Sequence, residues 1–301
     1  MEALIFAAGL LRYAAPVGFA AIGEAVGQRS GVINIGLEGM MLTAAYFAMV
    51  VTETTGSPWL GMAAGVAAAV VIGVVQSFFT LKLAADQIVV GTAVNLFALG
   101  LTSTLYRARY GQSGQLISIE QLPRLFFIEQ PPDIAAGVFD LALLLLLASA
   151  AYFGWMLVRT RRGLAMRAAG EYPDAVEASG FSALKVRFQA LLVGAVFAGL
   201  GGAYLAVGVT GSFSPEMTAG RGFVAIAMVT FGRWKPVWVL AAALLVGYSE
   251  TVQYTLQVKN LPVPDELLRA LPYLVALAVL VIVGRGTAMP AMLAVPYRRD
   301  K

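Results

Sequence analysis

The sequence predicts an all-α polytopic membrane protein with about nine transmembrane segments (about eight to ten), some of them broken or half-helices, and a candidate inverted repeat. Three observations lead there. The 301 residues are 59% hydrophobic and only 13% charged, whereas a soluble domain carries about a quarter charged residues. Apolar runs of about twenty residues recur along the whole length, as a bilayer-spanning helix requires. Lys and Arg gather at the ends of those runs, where membrane orientation needs them. The net charge of +4 therefore does not indicate nucleic-acid binding. With no cysteine and no histidine, disulfides, thiol nucleophiles, His–metal sites and imidazole acid–base chemistry are excluded.

The elements follow in order. Segment one is about Leu4 to Ile22, preceded by Met1-Glu2 with no basic region, so it reads as a spanning helix and not a cleaved signal. Arg12 inside it either snorkels to a nearby interface or faces protein. The stretch Gly23 to Met41 carries glycines at 27, 31, 36 and 39, with Asn34 and Glu38. Such glycines allow a helix break or a close backbone approach. Irregular backbone at membrane depth survives only inside protein or along a cavity. Asn34 and Glu38 then line a pathway or hold the break; alternatively, Glu38 caps orphan N–H groups at a helix start. Segment two continues to about Val51. Segment three is Trp59 to Leu81, and segment four is about Ile88 to Tyr106. Asn95, in its middle, hydrogen-bonds a neighbouring helix or contacts a polar solute.

Arg107 to Asp133 reads as an extracytoplasmic loop with a short surface helix near Ser118 to Leu125, and segment five is about Ile134 to Val158. The longest basic interruption follows, Arg159 to Gly180. Pro173 suits a first helical turn, Asp174 and Glu177 complement a positive helix start, and Gly180 suits a left-handed stop. These predict a short surface helix at about Pro173 to Ser179. Segment six is about Val186 to Gly208. Phe223 to Phe231 is too short to cross unaided and reads as a half-helix. Segment eight is about Val237 to Leu256, with Glu250 and Gln253 near its end, and segment nine is about Leu267 to Gly284. The Lys and Arg bias predicts N-terminus out and C-terminus in, with Arg221 counted on the outer side. Ala67 to Gly73 in segment three echoes Ala241 to Gly247 in segment eight. These two run in opposite directions, the pattern of an inverted repeat.

The run Gly31 to Met41, GVINIGLEGMM, resembles the signature of ABC-importer permeases of the branched-chain amino acid and simple-sugar superfamily, and its NIGLEGMM part resembles the nucleoside, purine lipoprotein-dependent branch. Gly170-Glu171-Tyr172-Pro173-Asp174-Ala175 through Gly180 resembles that family's cytoplasmic loop, although Tyr172 stands where Asn is common. Gly220-Arg221-Gly222-Phe223 with Phe231-Gly232 and Pro236, then Leu271-Pro272-Tyr273, then Pro296-Tyr297 complete an ordered set.

The resemblance implies a single permease domain over 1–301, with 159–185 as the loop bearing the coupling helix. It implies the plasma (inner) membrane of a bacterium, ABC ATPase subunits below, a second permease subunit such as a paralogue, and an extracytoplasmic substrate-binding protein or lipoprotein. Glu171, Pro173, Asp174, Glu177 and Gly180 would serve coupling, and Asn34, Glu38, Asn95 and Gln253 the substrate pathway. The chain lacks Gly-x-x-x-x-Gly-Lys-Ser/Thr, so ATP and Mg²⁺ belong to the partner ATPase and no cofactor is expected here. Nor is an enzyme expected, since no paired acid–base constellation is visible. A nucleoside is the expected solute; a simple sugar or a branched-chain amino acid is the alternative. A different class, the stand-alone ion-coupled carrier, would need Glu38 and Glu250 as ion ligands.

Overall fold

The computed structural model describes residues 2–111, 117–123, 141–258, 264–283 and 289–298. Among these the regular structure is helical: α1 Glu2–Arg29, α2 Leu37–Thr55, α3 Pro58–Ser77, α4 Gln87–Tyr110, α5 Leu141–Arg159, α6 Arg161–Glu171, α7 Pro173–Ala178, α8 Ala183–Tyr204, α9 Arg221–Phe231, α10 Pro236–Val258 and α11 Asp265–Val283. A π turn extends α3 over Phe78–Lys82 and another extends α8 over Leu205–Thr210. With those turns included, α3, α4, α5 and α8 are each long and apolar enough to cross a membrane.

The central post is α1, in which every residue from Ala14 to Gln28 is buried. A helix apolar on all sides belongs inside a bundle. It packs on α8 and α10, while α8 packs in turn on α2 and α3. Small residues set these distances, because transmembrane helices associate by close van der Waals contact. Gly201 of α8 faces the Pro16 carbonyl of α1, and Gly202 faces the Met41 carbonyl of α2. A Cβ at Gly202 would overlap that backbone oxygen, which cannot rotate away. Gly202→Ala is therefore expected to destabilise the detergent-solubilised protein by about 1–3 kcal/mol, read as a lower Tm. Gly100→Ala, where nothing lies within 4 Å of the added carbon, is expected to leave stability unchanged or raise it by up to about 1 kcal/mol, read as an equal or higher Tm.

Several boundaries differ from expectation. The first helix does not end near Ile22 but runs on to Arg29, so the break is confined to residues 30–36. Gly23 and Gly27 are helical; Gly23 lies against Gly194 and Phe197 of α8. No helix forms over residues 118–123. Instead the Ile119 and Leu122 N–H groups donate to the carbonyls of Gly211 and Val207, at 2.9 and 3.0 Å. This loop thus closes the π turn of α8, and tertiary pairing overrides the local preference. Residues 124–140, which hold the rest of that loop and the expected start of segment five, lie outside the described residues. Arg12 turns inward, donating to the Gly208 and Val209 carbonyls at 2.9 and 3.1 Å and to Gln121 at 3.2 Å. Its cation thereby meets carbonyls that the π turn leaves unpaired.

Candidate functional site

Two helices begin part-way through the bundle, and their first turns meet. One is α2. The chain leaves α1 at Arg29 and climbs as irregular backbone to Leu37. Its N–H and C=O groups have no helix to bond to, so side chains must satisfy them. The Ile33 N–H donates to Gln87 Oε1 at 2.9 Å, and the Asn34 N–H to Glu24 Oε1 at 3.0 Å. Asn95 bonds twice: Nδ2 donates to the Ile35 carbonyl at 2.9 Å, and Oδ1 accepts from the Gly39 N–H at 2.8 Å. Asn34 Oδ1 accepts from Gln76 Nε2 at 2.9 Å. Glu24, 0% exposed, also accepts from Gln28 Nε2 at 2.9 Å, and Gln28 accepts from Trp234 Nε1 at 2.8 Å. A single polar network thus joins α1, α3, α4, the break and the turn after α9. Asn95 lies about 12 Å along α4 at 1.5 Å per residue, so α2 starts inside the bundle and not at its end.

The other is α9. After the π turn of α8, residues 211–220 run as turns down to Arg221. Gly220 has φ +80° and reverses the chain where an L side chain would be strained. The orphan N–H groups at the start of α9 point at Glu38. Its Oε1 accepts from Gly220 N–H at 2.8 Å and its Oε2 from Gly222 N–H at 2.6 Å. Glu38 also occupies the first turn of its own helix, so one carboxylate sits at the positive ends of two helices. Of the readings open from the sequence, the cap is the geometry found, but the helix capped is α9. Gly222 is obligatory for the approach: a Cβ there would strike the Glu38 backbone.

Arg221 is not at an outer surface. It pairs with Glu250 of α10 at 3.2 Å, with side chains only 16% and 8% exposed. Glu250 lies about 21 Å along α10 at 1.5 Å per residue, well inside the bundle. Two buried opposite charges compensate each other where either alone would be costly. Arg221 also donates to the Met217 carbonyl at 3.2 Å, and the Tyr273 hydroxyl of α11 donates to the Ala219 carbonyl. Gln253 stands one turn beyond Glu250 and is buried. Tyr254 stacks on Tyr13 of α1 with ring centroids 4.7 Å apart. The aromatic surface of Phe223 in α9 is half exposed, that of Phe97 in α4 more so, and Tyr46 is buried against Phe213.

Asn34, Glu38 and Asn95 thus share one junction, whereas Gln253 lies apart from it on α10, three residues beyond Glu250. Sequence reasoning missed Arg221, Tyr273, Glu24, Gln76 and Gln87 as members. Glu24 and Gln76 carried a readable signal, each being a polar side chain within an apolar helical run.

The basic loop folds as two helices. α6 was not expected; Thr160 caps it by accepting from the Gly163 N–H at 3.1 Å. α7 begins with Pro173 and ends before Gly180, which has φ +85°. Glu177 Oε1 accepts from the Ala183 N–H at 2.8 Å, tying α7 to the start of α8. Glu171 accepts from the Ala291 N–H at 3.1 Å and Asp174 from the Tyr297 hydroxyl at 2.9 Å. Tyr172 and Phe181, flanking α7, are 76% and 55% exposed.

Among the described residues no group of three His, Cys, Asp or Glu could hold a metal. The site presents pre-paired charges, broken helix ends and aromatic faces. Such an arrangement suits passage of a polar solute between two packings, as discontinuous helices provide in transporters.

The chain is 30% identical to a guanosine ABC transporter permease protein of Bacillus subtilis, over 97% of this chain and 95% of that one. It is 31% identical to a nucleoside ABC transporter permease protein of Lactococcus lactis, over 99% and 98%. It is 30% identical to a glucose ABC transporter permease protein, named as putative, of Haloferax volcanii, over 98% and 99%. No solved structure matches. Residues 6–284 match the family described as branched-chain amino acid transport system / permease component, and the chain belongs to that family of multi-pass membrane permeases.

Proposed function

We propose that the chain is the membrane subunit of an ATP-driven importer for nucleosides. The observation that carries this reading is end-to-end similarity to permeases named for guanosine and for nucleosides. A simple sugar is the second reading, favoured by the relative named for glucose. Two permease subunits form the pathway, two ATPase modules hold ATP and Mg²⁺, and an extracytoplasmic binding protein delivers the solute. A paralogous second permease fits the finding that Bacillus subtilis and Lactococcus lactis each hold a second, more distant relative.

In this reading the α7 loop and the C-terminus face the cytoplasm and the N-terminus faces out. The exposed Tyr172 and Phe181 flank the ATPase dock, and Glu171, Pro173, Asp174, Glu177 and Gly180 give α7 its position. Asn34 and Asn95 shape the pathway by holding the break, while Glu38 and Gln253 lie along it. The membrane crossings number about nine.

We further propose an inverted repeat relating α1–α4 to α8–α11. Each half places a broken helix second, α2 and α9. The echoed segments support the pairing: Gly73 of α3 abuts Ala195 of α8, and Gly247 of α10 abuts Ala14 of α1. Closure of the ATPase dimer pushes α7 and rocks one half against the other, a two-state change biased from a distance.

The test is uptake by proteoliposomes holding the complete complex and its binding protein. Labelled guanosine is expected to accumulate only with ATP, and unlabelled nucleosides to compete while glucose and leucine do not. Competition by glucose alone moves the assignment to sugars. Uptake by this chain without an ATPase overturns the importer reading.

A further inference from the structure

Three segments far apart in sequence meet at one point beneath the bundle: the start of the break at Gly31, the end of α6 at Gly170, and the C-terminal residues 289–298. The Met292 N–H donates to the Gly170 carbonyl at 2.9 Å, and the Ala294 N–H to the Gly31 carbonyl at 3.3 Å. The tail therefore bonds the coupling hairpin through one residue and the broken helix through another. Gly31 has φ +87°, and a Cβ there would meet Arg187, the Met292 carbonyl and Gly170 together. Two more bonds reach the hairpin side, from the Ala291 N–H to Glu171 and from the Tyr297 hydroxyl to Asp174.

Arg187 of α8 fastens the assembly. It is 0% exposed, a burial rare for arginine, and its two Nη atoms are bonded while Nε is not. Nη1 donates to the Val295 carbonyl and Nη2 to the Ala169 carbonyl, each at 3.1 Å. Its guanidinium lies 5.6 Å from the centre of the Tyr297 ring, within the range of cation–π attraction. Ala294 is held at φ +64°. A left-handed non-glycine residue persists only where its surroundings over-determine it. The tail is thus seated in one register.

We infer that residues 289–298 form a strap that transmits the displacement of α7 to the broken helix, with Arg187 and Tyr297 as its positioning residues. The inference rests on the importer reading above. Among the described residues α7 packs chiefly on its neighbours α6 and α8, and the Asp174–Tyr297 bond reaches from it to the tail. From Gly31 the backbone runs through the break to Glu38 and the α9 cap. The strap is therefore a short hydrogen-bonded link between the proposed dock and the junction at the centre of the bundle.

The test uses the assembled complex and two variants, a chain ending at residue 288 and Tyr297→Phe. The readout is solute moved per ATP hydrolysed. Truncation is expected to lower that ratio by about tenfold, a usual size for lost coupling between sites. Tyr297→Phe is expected to lower it by about fivefold, the effect of one net hydrogen bond, while assembly and ATP hydrolysis persist. An unchanged ratio in Tyr297→Phe, or in a truncated chain that assembles, overturns the inference. Docking is measured separately on the purified full chain, which has no cysteine of its own. Leu293→Cys, packed against the core, is expected to react slowly with a maleimide and faster when combined with Tyr297→Phe. Equal rates overturn the seated tail. A wild-type complex without ATP-dependent uptake contradicts the importer reading instead.

Discussion

Glu38→Ala is expected to abolish transport and to weaken the fold, and Glu38→Gln to do so less. The carboxylate accepts from the Gly220 and Gly222 N–H groups, and alanine leaves both donors without an acceptor inside the bundle. Each unsatisfied buried donor costs about 1–3 kcal/mol, so a loss of about 2–6 kcal/mol is expected for the pair. Glutamine keeps one oxygen and replaces the other with an NH₂ that cannot accept. It retains one cap bond and sets its NH₂ against the second N–H. The measurements are thermal unfolding in detergent and uptake in proteoliposomes. The order wild type, Gln, Ala is expected in both.

The second large effect belongs to the Arg221–Glu250 pair. Removing one partner leaves a lone charge buried, which costs about 3–5 kcal/mol. Arg221→Gln and Glu250→Gln are each expected to lower Tm sharply. The double variant Arg221→Gln with Glu250→Gln is expected to recover a large part of that loss, because no net charge then remains buried. A double-mutant cycle reads the coupling directly. Additive losses would mean that the two side chains do not depend on each other.

Much of this architecture could be read from the chain. The break before α2 was visible because Gly31, Gly36, Asn34 and Glu38 are all poor choices for a lipid-facing helix. The half-helix α9 was visible because its apolar run is too short to span. α7 announced itself through Pro173 and Gly180, each with a local backbone reason. What stayed hidden depends on partners distant in sequence. Arg221 was counted as an outer charge because its sign is local and its partner Glu250 is not. α6 was unreadable because Gly163 and Gly170 look like breakers. In the fold they permit contact with the Leu157 backbone and the Arg29 carbonyl. Over 118–123, the described part of the helix expected at 118–125, no helix forms because carbonyls at the end of α8 recruit the N–H groups of residues 119 and 122. Glu24 stood out as a carboxylate inside an apolar run, but its partners Asn34, Gln28 and, through Gln28, Trp234 could not be read locally.

The central claim is that the meeting point of α2 and α9 lies on the solute's path and that distant nucleotide chemistry moves it. A single thiol at Phe223→Cys, in the chain's cysteine-free background, tests this most directly. Residue 223 stands in the first turn of α9, beside the Glu38 cap, and is 49% exposed. In proteoliposomes of the full complex, a membrane-impermeant thiol reagent is expected to reach it from one side without nucleotide and from the opposite side with ATP trapped. Accessibility that does not change with the nucleotide would contradict the account.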